Sequence, residues 1–266
     1  MTAEGRPEDA AAGAPTPRLL RLDAALRVAS CASTQDLCRR LAEEGAPEGS
    51  LVVAGEQTSG RGREGRSWHS PAGAGLWTSF LLRPRLDPAS WPALTPLAAL
   101  ALSEALEALA GGAWRAAIKW PNDVFGRHGK LAGILAESRD RTAVIGIGLN
   151  LTPADADFPP EIRGQASSLR IEGFRPVPTA EAVLAAFDVA FARGYGRLEG
   201  GDVRFLREGL LERFLLRGAQ VRIGLPGAEI AGIAVDLGPE GGLILETPAG
   251  RREYLCGEVL AWSRSG

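Results

Sequence analysis

The side chains best equipped for chemistry fall into four short segments. The first is Gln57-Thr58-Ser59-Gly60-Arg61-Gly62-Arg63-Glu64-Gly65-Arg66, directly after a strand-like run from Ser50 to Glu56. Its glycines let the main chain approach a ligand closely, and its arginines offer fixed forks for carboxylate or phosphate. The segment predicts an anionic ligand; a solvated basic turn or a short RNA-binding stretch is the plainer alternative. Gly60, Gly62 and Gly65 also satisfy the dinucleotide pattern GxGxxG. That pattern needs a following helix to receive the phosphate. Ser67-Trp68-His69-Ser70-Pro71-Ala72-Gly73 cannot supply one, and no acidic residue closes a second strand where a ribose contact would be. A nicotinamide oxidoreductase is set aside on those grounds.

The second segment is Lys119-Trp120-Pro121-Asn122-Asp123. Pro121 makes an extended turn, so Asn122 and Asp123 project from a strand end. An asparagine amide can read a purine edge, and an aspartate can hold a hydrated magnesium on phosphates. An ordinary Pro-Asn-Asp turn looks the same. The third, Gly129 to Glu137, begins like a P-loop, but its spacing is wrong and no Ser or Thr follows Lys130. A Walker NTPase is therefore rejected. Lys130 heads a strand instead, where it either snorkels to solvent or steadies an anion. The fourth is Gly146-Ile147-Gly148-Leu149-Asn150. Two glycines weaken a strand unless a ligand or another backbone comes close.

The elements that must position these segments follow from periodicity. A short strand is expected at Leu26 to Ala29, then a helix capped by Ser33 or Thr34 and running to Glu44. Gly75 to Leu82 reads as a strand, and Thr95-Pro96 opens an Ala/Leu helix to Ala110. Ala116 to Trp120 is a short strand. Lys130 to Glu137 and Thr142 to Leu149 pair across Arg139-Asp140-Arg141. Ala154 to Pro176 is irregular, and helices follow at about Thr179 to Leu198 and Asp202 to Leu216. Beyond Gly218 short alternating strands predict a small five-stranded barrel. Three parts result: a disordered tail at 1–17, a larger mixed domain at 18–217, and an all-β domain at 218–266.

The composition excludes little but points somewhere. The chain has 266 residues, a net charge of −2 and 45% hydrophobic residues, which suits a globular protein with a sizeable core and argues against a general nucleic-acid binder. Only two of its 30 basic residues are lysine, Lys119 and Lys130, and its only asparagines are Asn122 and Asn150. All four lie in the segments above. Cys31, Cys38 and Cys256 form no CxxC or Cys/His cluster, so a structural zinc is not expected and a reducing compartment is. The N-terminus has no apolar h-region, and the apolar run Leu94 to Ala110 carries Glu104 and Glu107, too polar for a membrane span.

Taken together, Ser33-Thr34-Gln35, Gln57 to Arg66 with Trp68 and Ser70-Pro71-Ala72-Gly73, Lys119 to Asp123, Lys130 to Glu137 and Gly146 to Asn150 resemble the biotin protein ligases, the biotin–[acetyl-CoA-carboxylase] ligase family. The order and spacing of the motifs carry the resemblance, which runs from Ser33 to the C-terminus. It implies an α/β (α+β) fold: a class II synthetase-like mixed sheet with flanking helices and a small C-terminal SH3-like β-barrel. It implies ligation in two steps. Biotin's carboxylate attacks the α-phosphate of ATP to give biotinyl-5′-AMP and pyrophosphate. A lysine of biotin carboxyl carrier protein, the acceptor domain of acetyl-CoA carboxylase, then displaces AMP.

By the same resemblance Lys130 and Arg63 are the catalytic candidates. Ser33, Thr34, Gln35, Gln57, Arg61, Gly62, Arg63, Lys130 and Gly133 would hold biotin. Arg61, Arg63, Arg66, Trp68, Lys119, Asn122 and Asn150 would hold ATP and the adenylate, and Asp123 is the magnesium candidate. The family usually has Asn where Gln35 stands. The expected co-substrate is ATP with Mg²⁺, with no permanently bound cofactor. About thirty residues precede Ser33, so the DNA-binding domain of some family members is not expected here. No DNA or membrane partner is expected, the protein would be cytoplasmic, and it would be a monomer or homodimer. Alternatives in the same fold are a lipoate or octanoyl ligase or transferase, and a non-enzymatic biotinyl-AMP-binding regulator.

Overall fold

The computed structural model describes residues 16–264. Of the expected tail to Pro17, only Thr16 and Pro17 lie among them. The larger part is built on a seven-stranded sheet of β1 (Leu26–Val28), β2 (Leu51–Ala54), β3 (Gly75–Leu82), β4 (Ala117–Lys119), β5 (Asp123–Phe125), β6 (Lys130–Arg139) and β7 (Thr142–Asn150). Their order is β1-β2-β3-β7-β6-β5-β4. The β1–β2 pair is parallel and every other pair antiparallel, so the sheet is mixed. The long central hairpin β6–β7 turns at Asp140 and Arg141, with φ of 47° and 62°. Two consecutive left-handed residues match the twist of the flanking strands.

Alternation along the central strands divides the sheet into two faces. Val52, Leu81 and Val144 pack with Cys38, Leu37 and Leu41 of α1 (Thr34–Glu43). Their neighbours Phe80, Leu82, Ile145 and Ile147 belong instead to the main core with α2 (Leu94–Leu109) and α3 (Ala180–Glu199). There Phe187, stacked on Phe191, packs against Phe80, and Phe191 meets Phe80 edge-on. The stretch Pro88–Leu109 is long and apolar enough to cross a membrane, but 72% of its most apolar window is buried inside this fold. Its hydrophobicity is spent on the core.

Three local expectations change. Thr95 does not cap α2: the helix continues from a 3₁₀ turn, Pro88–Ala93, whose cap is Asp87 accepting from the Ala89 N–H. The expected helix from Asp202 to Leu216 is the shorter α4 (Arg204–Leu211). It stops because the chain must pair with the sheet. Ile118 N–H donates to the Arg213 carbonyl at 2.7 Å, and Leu215 N–H donates to the Ile118 carbonyl at 3.0 Å, so residues 213–215 cover the β4 edge. The short strand β5 was not expected at all; three residues after a proline turn carry too little periodicity to announce it.

The remaining strands are β8 (Gln220–Leu225), β9 (Ala228–Leu237), β10 (Leu243–Thr247), β11 (Gly250–Tyr254) and β12 (Glu258–Ser263). The expected SH3-like module is thus a five-stranded antiparallel sheet, ordered β11-β10-β9-β8-β12. Irregularities at Ile244/Leu245 and Val259/Ala261 bend it. It docks on the larger part: Trp120 Nε1 donates to the Gly241 carbonyl at 3.0 Å.

Candidate active site

The Gly-Arg loop is a narrow hairpin. Trp68 N–H donates to the Gly60 carbonyl at 2.8 Å, Gly62 N–H to the Arg66 carbonyl at 2.7 Å, and Arg61 bridges Ser67. A Cβ on Gly60 would sit 2.4 Å from the Trp68 carbonyl oxygen, so glycine is required there. At the tip Glu64 and Gly65 have φ of 52° and 72°, which Gly65 adopts without strain. No helix follows, in line with the rejection of a dinucleotide fingerprint.

This hairpin closes over the α1 face of the sheet and forms a pocket with about 120 Å³ of open space. Every expected site residue except Asn150 lines it. One end is neutral and polar. Ser33 caps α1, its hydroxyl accepting from the Gln35 N–H at 3.3 Å. The Thr34 N–H donates to Gln57 Oε1 at 2.9 Å, which fixes the Gln57 amide so that Nε2 reaches Ser70 Oγ at 2.9 Å. Thr34 Oγ1 also lies 2.8 Å from Ser79 Oγ, and Ser79 donates to Gln35 Oε1 at 2.8 Å. Buried hydroxyls and amides joined in this way stay fixed, because each has a partner.

Gln35 lines the pocket with its amide held by the protein. Its Nε2 donates to the main-chain carbonyls of Val144 at 3.1 Å and Leu135 at 3.3 Å, while its oxygen accepts from Ser79. The amide on this longer arm is tied to the sheet that floors the pocket. Gly146 makes room for it, since a Cβ there would sit 2.7 Å from Gln35 Oε1. Gly148 serves Trp68 in the same way: a Cβ would lie 2.4 Å from Nε1 and 2.5 Å from Cε2. The bare strand expected to admit a ligand or backbone thus admits two of the protein's own side chains. Gly133 pairs with Gly148 across β6–β7, and its added Cβ would meet Trp68 Cζ3 at 3.2 Å. The indole therefore lies over a floor of two glycines, and its Nε1 is buried without a partner among the described residues.

The other end is cationic. Arg61, Arg63, Arg66, Lys119 and Lys130 line the pocket against two carboxylates, Asp123 and Glu258. Arg61 is held outward by Asp36 at 2.7 Å. Arg66 pairs with Glu258, which β12 of the small module brings in. Lys130 Nζ sits 2.6 Å from Asp123 Oδ1 and 5.3 Å from the centroid of the Trp68 ring. Burial pushes the Arg63 guanidinium below its ordinary value, with Glu64 and Asp123 opposing. Burial also lowers Lys119, which Asp123 opposes and Lys130 and Arg66 reinforce. Cations crowded together and partly desolvated are stabilised by an incoming polyanion.

Asn122 lines the pocket while its Nδ2 donates to the Ile134 carbonyl at 2.9 Å; the Ile134 N–H returns a bond to the Asn122 carbonyl. Asn150 is the one expected site residue that does not line this pocket. It is buried outside the pocket, its Nδ2 donating to the Ser167 carbonyl at 3.0 Å, because it ends β7 facing the loop after it. Asp123 is already ion-paired, and the described residues contain no group of three or more His, Cys, Asp or Glu side chains placed to hold a metal. Sequence reasoning missed Ser79 and Glu258. Ser79 carried a signal, one of two adjacent hydroxyls, Thr78 and Ser79, in a mainly apolar strand; Glu258, brought in from the small module, carried none.

The sequence pattern of the Biotin/lipoate A/B protein ligase family matches residues 28–151, and that of the Biotin protein ligase C terminal domain matches 218–262. The chain is 36% identical over 235 residues to the bifunctional ligase/repressor BirA of Bacillus spizizenii, covering 85% of this chain and 70% of that protein. It is 37% identical over 218 residues to the biotin–[acetyl-CoA-carboxylase] ligase of Paracoccus denitrificans, covering 78% and 88%. The biotin protein ligase of Aquifex aeolicus, solved in complex with biotin and ATP, superposes with a TM-score of 0.78 at 30% identity over 91% of this chain and 99% of that one. Fold, motif order and both family matches agree, and the chain belongs to the biotin/lipoate A/B protein ligase family, as one of its biotin protein ligases.

Proposed function

We propose that the protein makes biotinyl-5′-AMP from biotin and ATP and transfers the biotinyl group to a lysine of the biotin carboxyl carrier protein of acetyl-CoA carboxylase. The observation that carries this reading is the polarity of one pocket: fixed neutral hydroxyl and amide groups at one end, five cationic side chains at the other. Biotin has matching halves. Its ureido ring would meet the hydroxyls of Ser33 and Thr34 and the remaining Nε2 hydrogen of Gln57, and its carboxylate would face Arg63 and Lys130.

Bringing a carboxylate oxygen onto the α-phosphorus sets like charges together. Arg63, held partly buried, and Lys130, on the first residue of β6, offset that repulsion without reorganising. As the new bond forms, the bond to pyrophosphate breaks, and the cationic end receives the charge that leaves. Arg66, Lys119 and the free edge of Asn122 would hold the nucleotide, and Trp68 offers a planar ring beside them. In the second step a neutral lysine amine attacks the mixed anhydride carbonyl, loses its proton and expels AMP. ATP brings magnesium to such sites. Asp123, paired with Lys130, is the pocket carboxylate that would meet it, and the ion would neutralise charge on the phosphates. We place the reaction in the cytoplasm.

Mass spectrometry of a carrier domain incubated with the protein, ATP and either biotin or lipoate tests the reading. A mass gain with biotin alone is expected. No gain, or a gain with lipoate instead, refutes it.

A further inference from the structure

Lys130 is mounted by residues that never touch the pocket. Its N–H donates to the Gln165 carbonyl and its carbonyl accepts from the Ser167 N–H, both at 2.8 Å. The turn before it, Gly126 to Gly129, is closed by Gly126 N–H donating to the Gly129 carbonyl at 2.9 Å. One side chain ties these pieces together. Glu172 Oε1 accepts from Ser167 Oγ at 2.7 Å and from the His128 N–H at 3.0 Å. Its Oε2 accepts from the Arg127 N–H at 2.7 Å and from Trp114 Nε1 at 3.0 Å. Trp114 is itself core, packed edge-on against Phe174. Asn150 steadies the same segment from the other side through Ser167.

The turn is shaped around this carboxylate. A Cβ on Gly126 would lie 2.2 Å from the Glu172 carboxyl carbon, and one on Gly129, whose φ is 149°, would lie 2.4 Å from the Gln165 carbonyl oxygen. Burial opposes ionisation of Glu172, but its four hydrogen bonds prevail and hold its pKa below the usual glutamate value. So many donors on one carboxylate, around a loop otherwise made of glycine and exposed polar residues, is more than the loop needs merely to be covered.

We propose that Glu172 is a positioning residue for catalysis: it fixes the turn that leads into Lys130 and the segment paired with Lys130, and thereby sets where the Lys130 ammonium meets the reacting groups. This rests on the reading that the protein adenylates biotin. Glutamine in place of Glu172 cannot satisfy the same donors. If its NH₂ faces Ser167, whose hydroxyl can rotate to accept, the His128 N–H is orphaned; the opposite orientation orphans two N–H groups. The turn loosens while the pocket lining stays intact. A misplacement of about 1 Å can cost as much as 10²-fold in rate, and a loosened rather than removed brace should cost roughly tenfold.

The test is a double-mutant cycle on pyrophosphate release from biotin and ATP under single-turnover conditions. Glu172→Gln should lower the rate roughly tenfold and leave KM for biotin and for ATP within about threefold. In a Lys130→Ala background the same substitution should change the residual rate by less than about twofold, since its effect passes through Lys130. Equal losses in both backgrounds, or a change confined to KM, overturn the proposal. Should Glu172→Gln fail to fold, Ser167→Ala removes one arm of the brace and is judged by the same comparison. Wild-type protein that releases no pyrophosphate with biotin would instead refute the adenylation reading, a result distinct from an additive cycle.

Discussion

Lys130→Arg keeps the charge and should still disable the enzyme. The ammonium occupies a tight place: 2.6 Å from Asp123, under the Trp68 ring, and over Gly133, where an added Cβ would lie 3.5 Å from Cε and Nζ. A guanidinium is planar and binds a carboxylate through two parallel bonds. Asp123 would capture that fork, and Trp68 and Gly133 leave little space for the plane to turn back toward the pocket. A cationic group displaced by about 1 Å from a transition state it serves can forfeit about 10²-fold in rate, or about 2.7 kcal/mol of barrier. Stability should hardly follow, because the pair survives and is partly exposed; a change of about 1 kcal/mol would move Tm by only a few degrees. The assay is single-turnover biotinyl-5′-AMP formation beside a thermal melt. A rate within about threefold of wild type would refute the reasoning that a compact ammonium is needed. A collapse of Tm in step with activity would show the residue to be structural instead.

Other perturbations address other parts of the site. Gly148→Val should lift Trp68 off its floor and weaken ligand binding at least tenfold, roughly 1.4 kcal/mol, measured by calorimetry with biotin; unchanged affinity would separate Trp68 from the ligand. Glu258→Gln should loosen Arg66 and raise KM for ATP more than KM for biotin in steady-state kinetics, and equal changes in both would count against an ATP role for Arg66. Burial raises the Cys38 thiol to about 12, so at pH 8 alkylation should spare it and mark the exposed Cys256, with Cys38 labelling rising only as pH climbs toward that value. Peptide mapping reads this directly, and prompt modification of Cys38 in folded protein would contradict its burial.

Much of the site could be read in the sequence because its residues are local motifs. The Gly-Arg loop carries its own backbone requirements at Gly60 and Gly65. Gly146 and Gly148 announced a close approach correctly, but not what approaches, since Gln35 and Trp68 arrive from over a hundred and about eighty positions away. The position of Asn150 was not legible, because a rare amide at a strand end suits a ligand and a loop brace equally well. The overlong reading of α4 had the same root: helical periodicity persisted past Leu211, yet pairing of residues 213–215 with β4 outweighed it. Glu172 and Glu258 were invisible because most of the partners of Glu172, and Arg66 for Glu258, are remote in sequence, and a lone glutamate has no pattern.

Docking of the small sheet also has a consequence in time. Glu258 and Val259 form part of the pocket wall, so the two modules enclose the site jointly rather than one carrying it and the other trailing behind. A ligand seated there touches both, and its binding energy is added to their mutual adhesion. Were the modules to part, its escape would depend on their adhesion as well as on its own contacts. A reactive acyl phosphate held in this way would wait for its acceptor at a rate set by an interface, and the chain could lengthen or shorten that wait through residues far from any bond being made.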